Sequence, residues 1–162
     1  MPDFMPLFAA SHGKPIEFGG QVLHLALNLA PDAMSRLHIL FESSVSRPVQ
    51  GLRISARKPK HKLRVQDTTA RHLVLWRDTA PKHTEIELPS TRQPVPIVIY
   101  NVWRDEKYGT TLYGLNAAAM RVTEEGLGKW LLECSDGWGT DANFSDLVAR
   151  VVIEPAGLGG AA

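Results

Sequence analysis

Apolar and polar residues alternate with a period of two in segment after segment of this chain. No other feature limits its fold as much, because this is the pattern of a strand with one face in a core and one in water. Leu23, Leu25, Leu27 and Leu29 fall on one face, with His24 and Asn28 on the other. Leu37, Ile39 and Phe41 oppose Arg36, His38 and Glu42, and Leu52, Ile54 and Ala56 oppose Arg53, Ser55 and Arg57. Further strands are expected at Lys62–Gln66, His72–Arg77, Thr84–Leu88, Ile97–Trp103, Lys129–Cys134 and Leu147–Ile153. Turn residues punctuate them: Gly19-Gly20, Pro31-Asp32, Arg47-Pro48, Lys58-Pro59, Ala80-Pro81, Pro89 and Pro94. Nine or ten short strands of this kind predict an all-β antiparallel sandwich or jelly roll, not a βαβ fold.

One stretch reads two ways. Asn116-Ala117-Ala118-Ala119-Met120 has helix-forming composition, whereas Met120–Thr123 alternates and Glu124–Gly128 looks like a hairpin loop. The hairpin is the favoured expectation. The 162 residues suit one core, expected over 15–154, between a loosely attached arm at 1–14 and a Gly/Ala-rich tail at 155–162. Trp-Arg-Asp occurs twice, at Trp76–Asp78 and Trp103–Asp105. Two copies do not make a repeat array, so each is read as a Trp closing the core with an Arg–Asp pair at its rim.

Composition removes several classes of function. Eighteen Lys and Arg against seventeen Asp and Glu give a net charge of +1, without the strongly basic balance of a nucleic-acid binder. No apolar run reaches the roughly 18 residues of a membrane span. The first residues lack the basic start and continuous apolar stretch of a secretory signal, so a cytoplasmic protein is the default expectation, with export left open. The lone Cys134 allows neither an internal disulfide framework nor a thiolate zinc site, and is expected to be a buried strand-end residue.

The chemistry concentrates between the last two expected strands. Asp136–Asp146 holds three aspartates, an asparagine, two hydroxyl residues and two glycines in eleven positions. Oxygen donors on a sharply turning backbone are what calcium requires. Asp141, Asn143, Ser145 and Asp146 alternate as donors, Phe144 is free to turn inward as an anchor, and Asp136 and Glu133 stand just upstream. The loop is not an EF-hand, since the Asp-x-Asp-x-Asp-Gly order and closing Glu are missing. The alternative is a metal-free loop in which Asx side chains cap backbone N–H groups.

Gly139-Thr140-Asp141-Ala142-Asn143-Phe144-Ser145-Asp146-Leu147-Val148 resembles the calcium loop of the small bacterial calcium-dependent fucose/mannose-binding lectins. The resemblance covers about twenty residues. It implies a β-sandwich in which Asp141 and Asp146 are carboxylate ligands, while Asn143 and Ser145 stand where the family has Asp and Asn. It further implies that sugar hydroxyls complete the calcium shell, with Thr140 in the loop and Trp138 available to stack on the sugar ring.

Other constellations are weaker. Arg57, Lys58, Lys60 and Lys62, around Pro59 and His61, read as a basic hairpin tip that a phosphate or acidic polysaccharide would meet, or as a solvated loop. His24, His38 and His72 would suit zinc if brought together, but no His pair at ligand spacing supports this, so they read as separate surface histidines. Ser11-His12-Gly13 is no nucleophile elbow, and Gly126-Leu127-Gly128 no phosphate loop. The sequence therefore predicts a non-enzymatic binding module whose 136–146 loop holds a carbohydrate through calcium. The alternative is a structural or protein-interaction sandwich with a capped loop. Self-association is left open.

Overall fold

A computed structural model of the chain describes residues 4–105, 107–112, 118–137 and 143–157. A short helix α1 (Met5–Ala10) comes first, followed by β1 (Ile16–Phe18), β2 (Gln21–Leu23), β3 (Leu27–Leu29), β4 (Arg36–Ser44) and β5 (Gln50–Ala56). Then come β6 (Leu63–Val65), β7 (Thr68–Ala70), β8 (His72–Trp76), β9 (His83–Glu87) and β10 (Ile97–Arg104). The last are β11 (Thr111–Leu112), β12 (Ala118–Gly126), β13 (Lys129–Asp136) and β14 (Leu147–Glu154). The class is all-β, as the alternation requires, and β12 with β13 forms the favoured hairpin over 118–136.

Two antiparallel sheets make a sandwich. One has seven strands in the order β12-β13-β14-β4-β9-β6-β7. The other runs β11-β10-β5-β8, and β3 also pairs with β10. Because β5 occupies one edge of β10 from Ile97 to Trp103, β3 and β11 share its other edge, at Ile97–Ile99 and Trp103–Arg104. A separate β1–β2 hairpin completes the strands. Leu52, Ile54, Ile97 and Ile99 from one sheet meet Leu37, Ile39, Phe41, Ile86, Leu132 and Val151 from the other in one core. Removing these faces from water is the main favourable term.

Gly51 shows how closely Trp76 of the neighbouring strand β8 lies over β5. A Cβ at this position would stand 2.8 Å from the Leu75 carbonyl oxygen and 2.9 Å from the Trp76 ring. The two Trp-Arg-Asp copies interlock nearby. Arg104 pairs with Asp78 at 3.2 Å and lies over the Trp76 ring at 4.6 Å, while Trp103 is buried. Each copy was expected to hold its own pair; instead the Arg of one serves the Asp and Trp of the other.

Two expectations are corrected. The run Leu23–Leu29 is not one strand: it is broken at Leu25-Ala26, with Leu23 serving a second, smaller core and Leu27 the main one. The N-terminal arm is not loose over residues 4–10. Phe4 and Phe8 are buried with Leu23, Ala119 and Phe144, and the Phe4 ring meets Phe18 edge-on at 4.9 Å. Alternation on β12 makes this second core available, since Ala119 faces it while Met120 faces the main one. Residues 155–157 of the tail are exposed, and 158–162 lie outside the described residues. No helix among the described residues is long and apolar enough to cross a membrane.

If α1 is an anchor, Phe8→Ala should cost about 3–5 kcal/mol, as large-to-small core changes do. Urea denaturation of the variant checks this; an unchanged midpoint would return the arm to the surface.

Candidate functional site

The loop between β13 and β14 leaves the sandwich beside two buried carboxylates. Asp136 ends β13 and Asp146 immediately precedes β14, only 3% and 6% exposed. The Asp136 N–H donates to Asp146 Oδ2 at 3.1 Å, and a further hydrogen bond links the two side chains. Burial, followed by the nearby Asp136 charge, pushes the Asp146 carboxyl up to about 7; the Asp136 N–H offsets part of this. Asp146 therefore keeps its proton across the mildly acidic range and gives it up around neutrality.

β5 supplies the third member. Gln50, fully buried, donates from Nε2 to Asp136 Oδ2 at 2.8 Å and to the Pro48 carbonyl at 3.0 Å. Its Oε1 has no donor among the described residues, and neither does Nε1 of its cross-strand neighbour Trp103 have an acceptor. Asn101 on β10 donates to the Ser135 carbonyl at 3.1 Å and ties the second sheet to the same end. Gln50 and Asn101 escape sequence reasoning because each sits inside an apolar strand, where a polar residue gives no sign of which loop it will meet.

Of the residues chosen from sequence, Asp136 and Asp146 come together and three others do not join them. Asn143 and Ser145 are exposed and turned toward each other: Asn143 Oδ1 accepts the Ser145 N–H at 3.0 Å and its hydroxyl at 2.6 Å. This is an Asx-turn. Glu133 is three residues before Asp136, so strand alternation places it on the opposite face, where it pairs with Arg121 at 3.2 Å. Trp138, Thr140 and Asp141 lie outside the described residues. Phe144 turns inward as expected, into the smaller core, with the Arg121 guanidinium 4.8 Å from its ring centre. Cys134 is fully buried, and desolvation, with Asp146 and Glu133 nearby, pushes its thiol far above the usual range, which removes it as a nucleophile.

The basic stretch is not a hairpin tip. β5 pairs with β10 and β8, whereas β6 pairs with β7 and β9, so 57–62 crosses from one sheet to the other. His61 and Leu63 turn inward at the crossing, leaving Arg57, Lys58, Lys60 and Lys62 exposed. Arg57 donates to Asn28 Oδ1, and Arg71 donates to the Ala56 and Arg57 carbonyls at 3.0 and 2.9 Å. His24, His38 and His72 remain apart: His24 bridges to Met120, His38 lies on the seven-stranded sheet, and His72 contacts Ser55 on the other sheet at 2.8 Å. Burial lowers the His24 pKa, and burial followed by Arg53, Arg71 and Lys62 lowers that of His72.

A cavity of about 610 Å³ opens where α1 crosses the sandwich edge, within the size range of small-molecule sites. Met5, Phe8, Leu25 and Val98 give it apolar walls, and Arg57 and Asn101 contribute polar groups.

Compared with protein-family models, with curated proteins and with solved structures, the chain matches none. The fold class is an all-β sandwich; what the protein does rests on the residues just described.

Asp146 should leave a signature in stability. The folded chain keeps its proton up to about pH 7, whereas the unfolded chain releases it near 3.8, so the folded state binds more protons in that window. Stability from this group is full below the lower value and is lost as pH rises through the upper one, with a slope of at most about 1.4 kcal/mol per pH unit. Asp146→Asn should lack this component. Urea melts of both proteins from pH 4 to 8 measure it; parallel pH profiles would contradict the assignment.

Proposed function

We propose that this protein is a non-catalytic binding module that holds calcium at the β13–β14 end of the sandwich and a carbohydrate through the ion. The observation that carries this reading is the buried Asp136–Asp146 pair beside the Gln50 Oε1 acceptor, which lacks a donor among the described residues. Three oxygen acceptors from β5, β13 and the start of β14 offer a hard dication what a proton satisfies only in part. Calcium supplies charge to the carboxylates and open coordination positions to vicinal sugar hydroxyls. Glu133, on the opposite face of β13, and Asn143 and Ser145, turned toward each other at the surface, are not part of this ligand set. Asp141 and Trp138 keep, from the sequence alone, the parts of a further carboxylate ligand and an apolar platform for a sugar ring.

A second reading has its own support. The Asn143–Ser145 Asx-turn closes part of the loop without an ion. The protein would then be a structural or protein-interaction sandwich.

Calcium affinity separates the two. If the ion displaces the proton that Asp146 holds up to about pH 7, binding should tighten about tenfold between pH 6 and pH 8. Calorimetric titration at both pH values, on the wild type and Asp146→Asn, should show heat of binding lost in the variant. A glycan array with and without calcium, repeated on Asp141→Ala, then tests the sugar. Absence of calcium heat, together with melting unaffected by EDTA, would leave the capped-loop reading standing.

A further inference from the structure

We propose that the outer face of the β14–β4–β9 sheet region binds one zinc ion through His38 Nε2, Glu85 and Glu154, with His83 as the residue that orients His38. The site is separate from the Asp136–Asp146 pair and does not rest on the calcium reading.

The placement follows from strand register. His38 on β4 is the cross-strand partner of Glu85 on β9. Its partner on β14 is Val152, so Glu154, two residues on, points the same way and reaches it diagonally. His83 is likewise two residues from Glu85. The intervening Leu37, Ile39, Ile86 and Val151 all enter the core, which fixes these four polar side chains on the opposite, outer face. Three central strands thus carry the cluster, a more rigid support than a loop.

The atoms are close to a ligand set. One donor atom each from His38, Glu85 and Glu154 lie within 4.8 Å of one another. His38 Nε2 stands 3.0 Å from Glu154 Oε2, and His38 Nδ1 stands 2.8 Å from His83 Nε2. Zinc takes nitrogen and oxygen ligands at about 2.0–2.2 Å, which in a tetrahedron places ligand atoms roughly 3.3 Å apart. Glu85 is half-exposed on a flexible stem, which lets its carboxylate adjust within the 4.8 Å span of the set.

Proton placement gives the cluster two states. When His38 Nδ1 donates its hydrogen to His83 Nε2, the Nε2 lone pair faces the Glu154 carboxylate, and a cation between them resolves the repulsion. This is the usual metal-site arrangement, in which the second ring nitrogen of a ligating His is held by a neighbour. When the hydrogens run the other way, from His83 to His38 and on to Glu154, no ion is needed. Glu85 is paired with Arg36 at 3.0 Å, and the second carboxylate, Glu154, draws a dication to the first state. An imidazole with two carboxylates suits zinc better than calcium, which prefers six to eight oxygens. Three protein ligands also leave the fourth position of the ion to water or a small exogenous ligand.

Chelator-treated protein titrated with zinc chloride in a calorimeter should show one saturable site per chain. His38→Asn and Glu154→Gln should each weaken it tenfold or more, and His83→Asn by about tenfold, the usual cost of losing a group that orients a metal ligand. His72→Asn, on the other sheet, should bind as the wild type does. Urea melts confirm that each variant is folded, and if His38→Asn is not, the surface variant Glu154→Gln carries the test. Absence of saturable zinc heat, or equal affinity in the wild type and Glu154→Gln, overturns the proposal and leaves the ion-free proton chain.

Discussion

Neither large sheet is stable until its apolar face is covered by the other, and the rest of the molecule follows from that requirement. Leu37, Ile39, Phe41 and Val151 cannot leave water without Leu52, Ile54, Ile97 and Ile99 opposite them. Once the layers close, the pleat of every strand is fixed, and with it the direction of every polar residue. Outward positions such as His38, Glu85 and Glu154 then meet across strands, while strand ends deliver Asp136 and Asp146 to the rim. Chemistry on this scaffold is a by-product of how the core chooses its register.

The rim differs from the rest of the core in what it buries. Two carboxylates this close are costly in a desolvated setting, and burial with the Asp136 charge therefore favours the protonated form of Asp146. Gln50 adds a hydrogen bond to Asp136 but brings an acceptor that lacks a donor among the described residues. Among the described residues, the buried carboxylates are Asp136 and Asp146, both at this end.

Much of the fold could be read from the chain. The alternation at Arg36–Phe41 and Leu52–Ala56 gave the right strands and the right apolar faces, and Leu147–Ile153 the right strand, since a local period survives in any tertiary setting. It failed at Leu23–Leu29, where one unbroken pattern serves two cores, and at Phe4 and Phe8, where a short helix with no alternation fills a second one. The basic residues Arg57–Lys62 looked like a hairpin because a turn signal sits between two strands; whether those strands pair with each other is not a local property.

The same division holds for the sites. The acidic loop after β13 was visible in composition, yet its members separated: Asp136 and Asp146 went to the rim, Glu133 to Arg121, and Asn143 to Ser145. Gln50, eighty-six positions from Asp136, and Glu154, one hundred and sixteen from His38, could not be paired by spacing. By itself the sequence determined most of the longer strands and which face of them is apolar, because steric pleating and hydrophobicity act within a few residues. Tertiary structure alone decided which carboxylates, amides and imidazoles meet, because strand order and register are set by the closing of two sheets over one core.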